Sequence, residues 1–445
     1  MVSDELQRQL AQAEQHVRSG RRRQGRRAFE RLVARYPESS ESHFQLALLL
    51  LDDGDFEGAV GQFREVLRIR PDIAEVHFNL GTLLTDLGRP ADAVSSLKRA
   101  LELRPEFAEA HNNLGIIYQK QGESEFAIGC FQEAVRHAPS HSAATLNLAS
   151  AMVRMKRSEG VLEICQRACE LNPGIAQAQM LLGCAWELLG REDEAFRCFE
   201  EGAKLDPTSP SAYFLAARGG NAVPRIAPAE YVKELFDAYA ARFDEHLTGR
   251  LNYRTPEQIH RAVLKIVSGD RLRTLDLGCG TGLAGRLIRD SSEYLVGVDL
   301  SPAMIQEAVR AEIYDETFVQ DITGYLQADT SEFDLILAAD VFVYIGDLSE
   351  TFQGVWARLR PGGVFAFSVE AAEASTDPQD AEEGYQLSCS RRYQHRLSYL
   401  RNLADETGFQ VPVADKAVLR TQGREEVEGW VVVFKKPSSV VEGEA

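Results

Sequence analysis

The stretch "TLDLGCGTGLAG", Thr274 to Gly285, sets four glycines directly behind a short apolar run. An apolar run that breaks into glycines reads as a β-strand ending in a tight turn, where the backbone must come closer to something than a Cβ would allow. The turn is not a phosphate-binding P-loop, because no Lys follows it in the G-x-x-x-x-G-K-[ST] spacing. A dinucleotide turn fails as well: after Gly278 and Gly280 the position required for a third glycine holds Leu283. The pattern present is Asp276-x-Gly278-x-Gly280-x-Gly282.

Short apolar runs recur on the C-terminal side at helix-long intervals: "YLVGVDL" (294–300), "FVQDI" (318–322), "FDLILAAD" (333–340), "GVFAFSVE" (363–370) and "GWVVVFKK" (429–436). Strands separated by helical stretches predict a mostly parallel, doubly wound α/β sheet, with ligands at the carboxyl ends of the strands. Asp299 ends the second run and Asp321 the third. This ordered set resembles motif I and its successors in the class I S-adenosylmethionine (SAM) methyltransferases, over residues 231–437.

The resemblance implies a Rossmann-like fold and SAM as cofactor. Gly278, Gly280 and Gly282 would line its methionine and ribose portions, with Cys279, Leu300 and Ala338 beside them. Asp276 would reach the ammonium, Asp299 would accept the ribose hydroxyls, and Asp321 with Ile322 would read the adenine. The segment Tyr231 to Ile259 is similar to the pre-sheet helices of small-molecule methyltransferases that close over SAM, with Tyr239, Phe243, His246 and Tyr253 matching best. "SRRYQHRLSYL" (Ser390 to Leu400) is similar to tetratricopeptide methyltransferases with R-Y-x-H there, which brings Arg392, Tyr393 and His395 near a substrate pocket. His395 and His246 stand as candidate bases against readings as surface or packing histidines. Tyr344 would face the transferred methyl, and Glu370 would orient an amine or hydroxyl. Methyl transfer needs a base only where the acceptor is protonated.

The N-terminal half has another rhythm. Prolines stand at 37, 71, 105, 139, 173 and 207, each 34 residues from the last. At the same period recur a small residue (Ala13, Ala47, Gly81, Gly115, Ala149, Gly183) and a bulky or apolar one (Phe29, Phe63, Leu97, Phe131, Cys165, Phe199). A small residue permits close helix crossing, the bulky one fills the gap, and Pro stops the second helix. The register resembles the tetratricopeptide repeat, here about six helix pairs in an α solenoid over residues 1–218, with Pro210 to Arg218 as a capping helix. Residues 219–230 read as a linker and 438–445 as a flexible tail.

Units that cannot bury their apolar faces alone stack into a solenoid with a concave groove. Asn79, Asn113 and Asn147 recur within it; the ladder resembles the peptide-binding asparagines of O-GlcNAc transferases, and equally fits the ordinary repeat consensus. Glu41, Glu75 and Glu109 occupy positions where chaperone-binding carboxylate clamps carry Lys or Asn, which disfavours an acidic C-terminus as partner.

The 445 residues carry a net charge of −18, divided as −5 up to residue 220 and −13 beyond it. That balance opposes a polyanionic partner such as nucleic acid. The basic run Arg21 to Arg27 reads as a solvated helix face. The fourth strand's loop lacks the D/N-P-P-Y/F of enzymes that methylate nucleic-acid amines. Seven cysteines with no C-x-x-C pair fit a reducing compartment. No leader or spanning run is evident, so a cytoplasmic protein outside the membrane is expected, with no metal. The expectation is a SAM-dependent methyltransferase whose repeats bind a protein or peptide. Its acceptor would be a small or carrier-bound molecule, or a protein side chain delivered along the groove; a SAM-binding scaffold is the third reading.

Overall fold

The computed structural model describes residues 2–219, 223–237, 239, 240, 243, 244, 247, 253–267, 271–372, 384–422 and 425–438. They fall into two compact units, Met1–Pro173 and Gly174–Ala445. Among the described residues no helix is long and apolar enough to cross a membrane.

The first unit is five helix pairs: α1 (Val2–Arg18) with α2 (Arg22–Arg35), α3 (Ser40–Asp52) with α4 (Phe56–Ile69), α5 (Ala74–Asp86) with α6 (Pro90–Leu103), α7 (Ala108–Lys120) with α8 (Ser124–His137), and α9 (Ser142–Arg154) with α10 (Val161–Leu171). Pro37, Pro71, Pro105, Pro139 and Pro173 each stand just beyond the second helix of a pair, where a missing N–H stops helix growth. The small-to-bulky register is the crossing itself. A Cβ on Gly81 would lie 2.7 Å from Leu97, and one on Gly115 would lie 2.6 Å from Phe131. Phe63, Leu97, Phe131 and Cys165 are completely buried in return.

Two further periodic devices hold the pairs. His43, His77 and His111 donate from Nε2 to the carbonyls of Pro37, Pro71 and Pro105 at 3.0, 3.0 and 2.8 Å, tying each first helix to the loop before it. Between paired helices the chain turns through a left-handed residue: Gly20, Gly54, Gly88 and Gly122, and then Lys156 at φ 51°. Lys156 takes that conformation with a Cβ, which glycine would not carry.

The second unit opens with a sixth pair, α11 (Ala176–Leu188) and α12 (Glu192–Leu205), and the short α13 (Pro210–Ala216). A Cβ on Gly183 would lie 2.4 Å from Phe199, the same crossing again. Helices continue to Ala216, while the two compact units divide at Pro173. In α13, the segment expected as a capping helix, Tyr213 and Phe214 are buried, and the Tyr213 hydroxyl donates to the Arg391 carbonyl at 2.6 Å.

The rest is a nine-stranded sheet. β1 (Leu272–Leu277), β2 (Ser292–Asp299), β3 (Glu316–Val319), β4 (Phe333–Ala338) and β5 (Leu359–Ala371) run parallel in the order β3-β2-β1-β4-β5. β9 (Glu425–Lys435) lies antiparallel to β5, and β8 (Gln410–Gln422) to β9. A small hairpin, β6 (Tyr385–Leu387) and β7 (Tyr393–His395), continues from the last residues of β5 through Glu370 beside Gln394. The six apolar runs foretold β1 to β5 and β9; β8 and the hairpin are additions.

Alternation along the strands builds both layers. Ile336, Phe365, Phe367, Val432 and Phe434 meet Phe352 and Val355 of α19 (Ser349–Arg358) and Leu400 and Leu403 of α20 (Leu397–Thr407) on one face. Leu335, Leu337, Val364, Ala366, Val431 and Val433 meet Ile259 and Val263 of α15 (Thr255–Leu264) on the other. Helices α16 (Leu283–Ile288), α17 (Pro302–Arg310) and α18 (Ile322–Ala328) follow β1, β2 and β3, completing the double winding. The segment expected as a linker is partly built in. Ala227 N–H donates to the Tyr344 carbonyl at 2.9 Å, and Gly346 N–H to Arg225 at 2.8 Å.

Candidate active site

β1 delivers Asp276 to the carboxyl edge of the sheet at 1% exposure. The Tyr314 hydroxyl donates to its Oδ2 at 2.7 Å, while Oδ1 is buried without a protein partner. Burial pushes this carboxyl up to about 7, against the pull of the Tyr314 hydrogen bond. An orphaned acceptor of that kind is expensive unless something outside the protein donates to it.

The three glycines behind it do different work. All are left-handed, at φ 66°, 54° and 95° for Gly278, Gly280 and Gly282. A Cβ on Gly278 would strike Val341 at 2.4 Å, and one on Gly282 would strike Ile313 at 2.6 Å; both are packing constraints. A Cβ on Gly280 would meet only Phe243, 3.7 Å away, so this glycine faces the open cradle. Asp299, at the end of β2, closes the turn by accepting from Gly280 N–H at 2.9 Å through Oδ2 and from Ser301 N–H at 2.8 Å through Oδ1. Burial raises the Asp299 carboxyl, opposed by these backbone donors. Each of its oxygens keeps a further lone pair for a ligand. Cys279 is buried and its thiol is pushed up by that burial; Leu300 is half-buried next to Asp299.

The pre-sheet segment contributes from above. α14 (Ala229–Asp237) places the Asp237 carboxylate on Ser301 Oγ and on Ala303 N–H at 3.2 Å, at the start of α17. Phe243 rings against Tyr239 at 5.4 Å and Phe236 at 6.1 Å, and Phe236 against Tyr344 at 5.5 Å, so Phe236, which the sequence reading did not single out, links Tyr239 and Phe243 to Tyr344 in one string beside Gly280. Asp244 accepts from Thr281 Oγ1. Tyr253 is raised well above the ordinary tyrosine range by burial, with Asp340 and Asp276 adding to the shift. His246 lies outside the described residues.

Asp321 is exposed and N-caps α18, accepting from Gly324 N–H at 2.8 Å; Ile322 is the half-buried first residue of that helix. Ala338 is completely buried in the sheet core, which leaves only its backbone near the edge.

The R-Y-x-H residues are divided by strand alternation, which sends Arg392 one way and Tyr393 and His395 the other. Arg392 Nη1 reaches Glu370 Oε1 at 3.3 Å. Tyr393 is completely buried and donates to the Pro224 carbonyl at 2.6 Å. His395, also completely buried, faces the Gly346 carbonyl with Nε2 at 2.9 Å, so Nε2 carries the proton and buried Nδ1 has no partner. Burial depresses it to about 4. It is a neutral imidazole inside a cluster with Tyr385 and Tyr399.

Sequence reasoning passed over the group beneath Arg392. Arg420, 3% exposed on β8, binds both oxygens of Asp340 at 3.1 and 2.9 Å and also contacts Glu370. Asp340 sits at φ 58°, a conformation rare for a residue with a side chain and common at sites. The signals were a charged residue on an otherwise inward position of "AVLRTQ" and an Asp directly after the fourth strand.

In the first unit the amides form a chain of their own. Asn147 donates to Asn112 at 2.9 Å, Asn112 to Asn113 at 3.4 Å, and Asn113 to Thr82 at 3.0 Å; Asn79 is half-buried on α5. Among the described residues His111, Glu133 and His137 could bring ligand atoms within 4.8 Å of one another, but Arg136 already bonds Glu133 and His137 there.

Comparison with known proteins agrees with this geometry. A profile of the methyltransferase domain family matches residues 275–365, and tetratricopeptide repeat profiles match residues 10–72, 81–122, 108–141 and 176–209. The chain thus carries tetratricopeptide repeats followed by a class I methyltransferase domain. It is 34% identical over 109 residues to malonyl-acyl-carrier-protein O-methyltransferase of Enterobacter lignolyticus, covering 24% of this chain and 43% of that protein. It is 38% identical over 64 residues to an 18S rRNA (guanine-N(7))-methyltransferase of Bos taurus, covering 14% and 23%. Trans-aconitate 2-methyltransferase of Deinococcus radiodurans is 33% identical over 101 residues, covering 22% and 38%. The chain spans less than half the length of each of these relatives.

Proposed function

We propose that the protein is a SAM-dependent methyltransferase acting on a small or carrier-bound acceptor in a reducing, cytoplasmic compartment, with its repeats recruiting a protein partner. The observation that carries this is the cradle around Gly280: an unpartnered, buried Asp276 oxygen on one side and the Asp299 carboxylate on the other. These residues fit SAM. Asp276 would take its ammonium, Gly280 its close-lying chain, Asp299 its ribose hydroxyls, and Asp321 with Ile322 its adenine. When bound, SAM supplies an electrophilic methyl group on a sulfonium.

The chain's own contribution is to align and to keep water out. Tyr239, Phe243, Phe236 and Tyr344 form an apolar wall over the cradle. Arg392 and Tyr344 stand on the acceptor side, while His395 and Tyr393 position the hairpin that carries Arg392. The charge of −13 beyond residue 220 speaks against a nucleic-acid acceptor.

Delivery of a protein side chain along the repeats is the weaker reading, because Asn113 and Asn147 already spend donors within the repeats. Calorimetry on the full chain tests the main one. SAM should bind, and Asp299→Ala should weaken it by about 1.5–3 kcal/mol, the range for hydrogen bonds to a charged group. Equal affinity in the variant would remove Asp299 from the site and the reading with it.

A further inference from the structure

We infer that the acceptor is a carboxylate, held by Arg392 and methylated on oxygen; the inference rests on the SAM reading and names the substrate class of that same site. The acids beside the cradle are committed. Asp340 and Glu370, with side chains 16% and 4% exposed, are both bonded by Arg420, itself 3% exposed. Arg392 differs from Arg420 on each count. Its side chain is 27% exposed, its contact with Glu370 is a single 3.3 Å approach, and its guanidinium lies among Tyr344, Asp340, Glu370 and Tyr231. Of the charged groups in this cluster it is the one with donors to give away.

A guanidinium offers parallel N–H groups in a fixed fork that matches a carboxylate in two bonds, a match neither an amine nor a phenol can make. The hairpin holds that fork in place. Arg391, next to it, is left-handed at φ 62°, lies 3.7 Å over the Phe214 ring and bonds Glu187 of α11.

The chemistry closes without a base. A carboxylate oxygen lone pair forms the new O–CH3 bond as the S–CH3 bond breaks, and the bonding pair leaves on sulfur. One negative and one positive charge disappear, and no proton is released. A neutral His395 committed to the Gly346 carbonyl is compatible with such a step, whereas a protonated acceptor would need a proton taken from it.

Three measurements on the full chain test this. With methyl-labelled SAM and a low-molecular-weight lysate filtrate plus acyl-carrier thioesters, the transferred label should be released as volatile methanol by mild alkali, as from an ester. Arg392→Gln should raise the acceptor KM at least tenfold with kcat within threefold, and Arg392→Lys should fall between; SAM affinity retained in both variants shows that the fold survives. Independently of turnover, malonate should slow phenylglyoxal modification of Arg392 at least fivefold, and malonamide should not. Alkali-stable label, or equal modification with malonate and malonamide, overturns the carboxylate assignment while leaving the SAM reading standing. Failure of the wild-type chain to bind SAM overturns the SAM reading itself.

Discussion

The repeats of the first unit and the edge of the sheet use their polar groups differently. In the repeats the recurring ones are closed upon one another, while His16 Nδ1 of α1 is buried without a partner. Each of three histidines finds the carbonyl of its own proline loop, and the amides run from Asn147 through Asn112 and Asn113 to Thr82. At the sheet edge one Asp276 oxygen, beside the Gly280 cradle, is buried without a partner. A buried acceptor without a donor costs on the order of 1–3 kcal/mol, and a fold retains such a cost where a ligand relieves it. Stacking in the repeats and the open oxygen at the cradle are then expected to respond separately to substitution.

The largest effect that would break this comparison lies in the repeats. Phe131 is completely buried against Gly115, so Phe131→Ala should cost about 3–5 kcal/mol of stability, the range for deleting a buried aromatic ring. SAM affinity should stay within twofold. Denaturant unfolding alongside calorimetry measures both, and a large fall in SAM affinity would show that stacking and binding are not separate properties.

The two regions also differed in how far they could be read from sequence. The repeats were legible to the residue, because each contact recurs every 34 positions: Gly81 with Leu97, Gly115 with Phe131 and Gly183 with Phe199 are one contact written three times. The periodic histidines and the left-handed turn glycines were equally visible there and went unread. At the sheet edge the glycine turn and the strand-end acids were legible, since a backbone that approaches a ligand restricts residue type locally. Arg420 was not. Its partners Asp340 and Glu370 are far away in sequence and meet it only once β8 pairs with β9 and β9 with β5. His395 was left open for the reverse reason: a resemblance made it a candidate base beside the reading as a packing histidine, and its contact with the Gly346 carbonyl is visible only in the packed hairpin.

A middle-sized effect sharpens the open side of the comparison. Burial pushes Asp276 up to about 7, and an ammonium is held by the charged carboxylate. SAM affinity should therefore be highest above that pH and fall as pH drops through it, by roughly tenfold, or 1.4 kcal/mol, per unit below. The SAM-free protein should do the opposite. A carboxyl whose folded pKa is raised contributes stability at low pH that is lost as pH rises through about 7. Titration between pH 7 and 5.5, where an α-ammonium is largely protonated, should show the two trends crossing, and Asp276→Asn should flatten both. Parallel trends would mean that Asp276 does not face the ammonium.

The smallest effect compares two residues with the same strained backbone. Lys156 and Asp340 are left-handed at φ 51° and 58°, yet their surroundings differ. Lys156 stands where the five other repeats carry glycine, at Gly20, Gly54, Gly88, Gly122 and Gly190, and it is exposed. Relief of a left-handed Cβ is worth roughly 1–2 kcal/mol, less the roughly 0.5–1 kcal/mol that glycine costs in unfolded-chain entropy. Lys156→Gly should thus stabilise the protein by about 0.5–1 kcal/mol without altering turnover. Asp340→Gly relieves the same strain but takes from buried Arg420 the carboxylate it binds with two hydrogen bonds, a loss of about 1–3 kcal/mol. The same substitution should therefore stabilise the repeat and destabilise the sheet edge, and thermal melts of the two variants read the sign directly. Stabilisation by both would mean that Asp340 adopts its conformation by accident of the chain, and the strain at the sheet edge would lose its connection to the site.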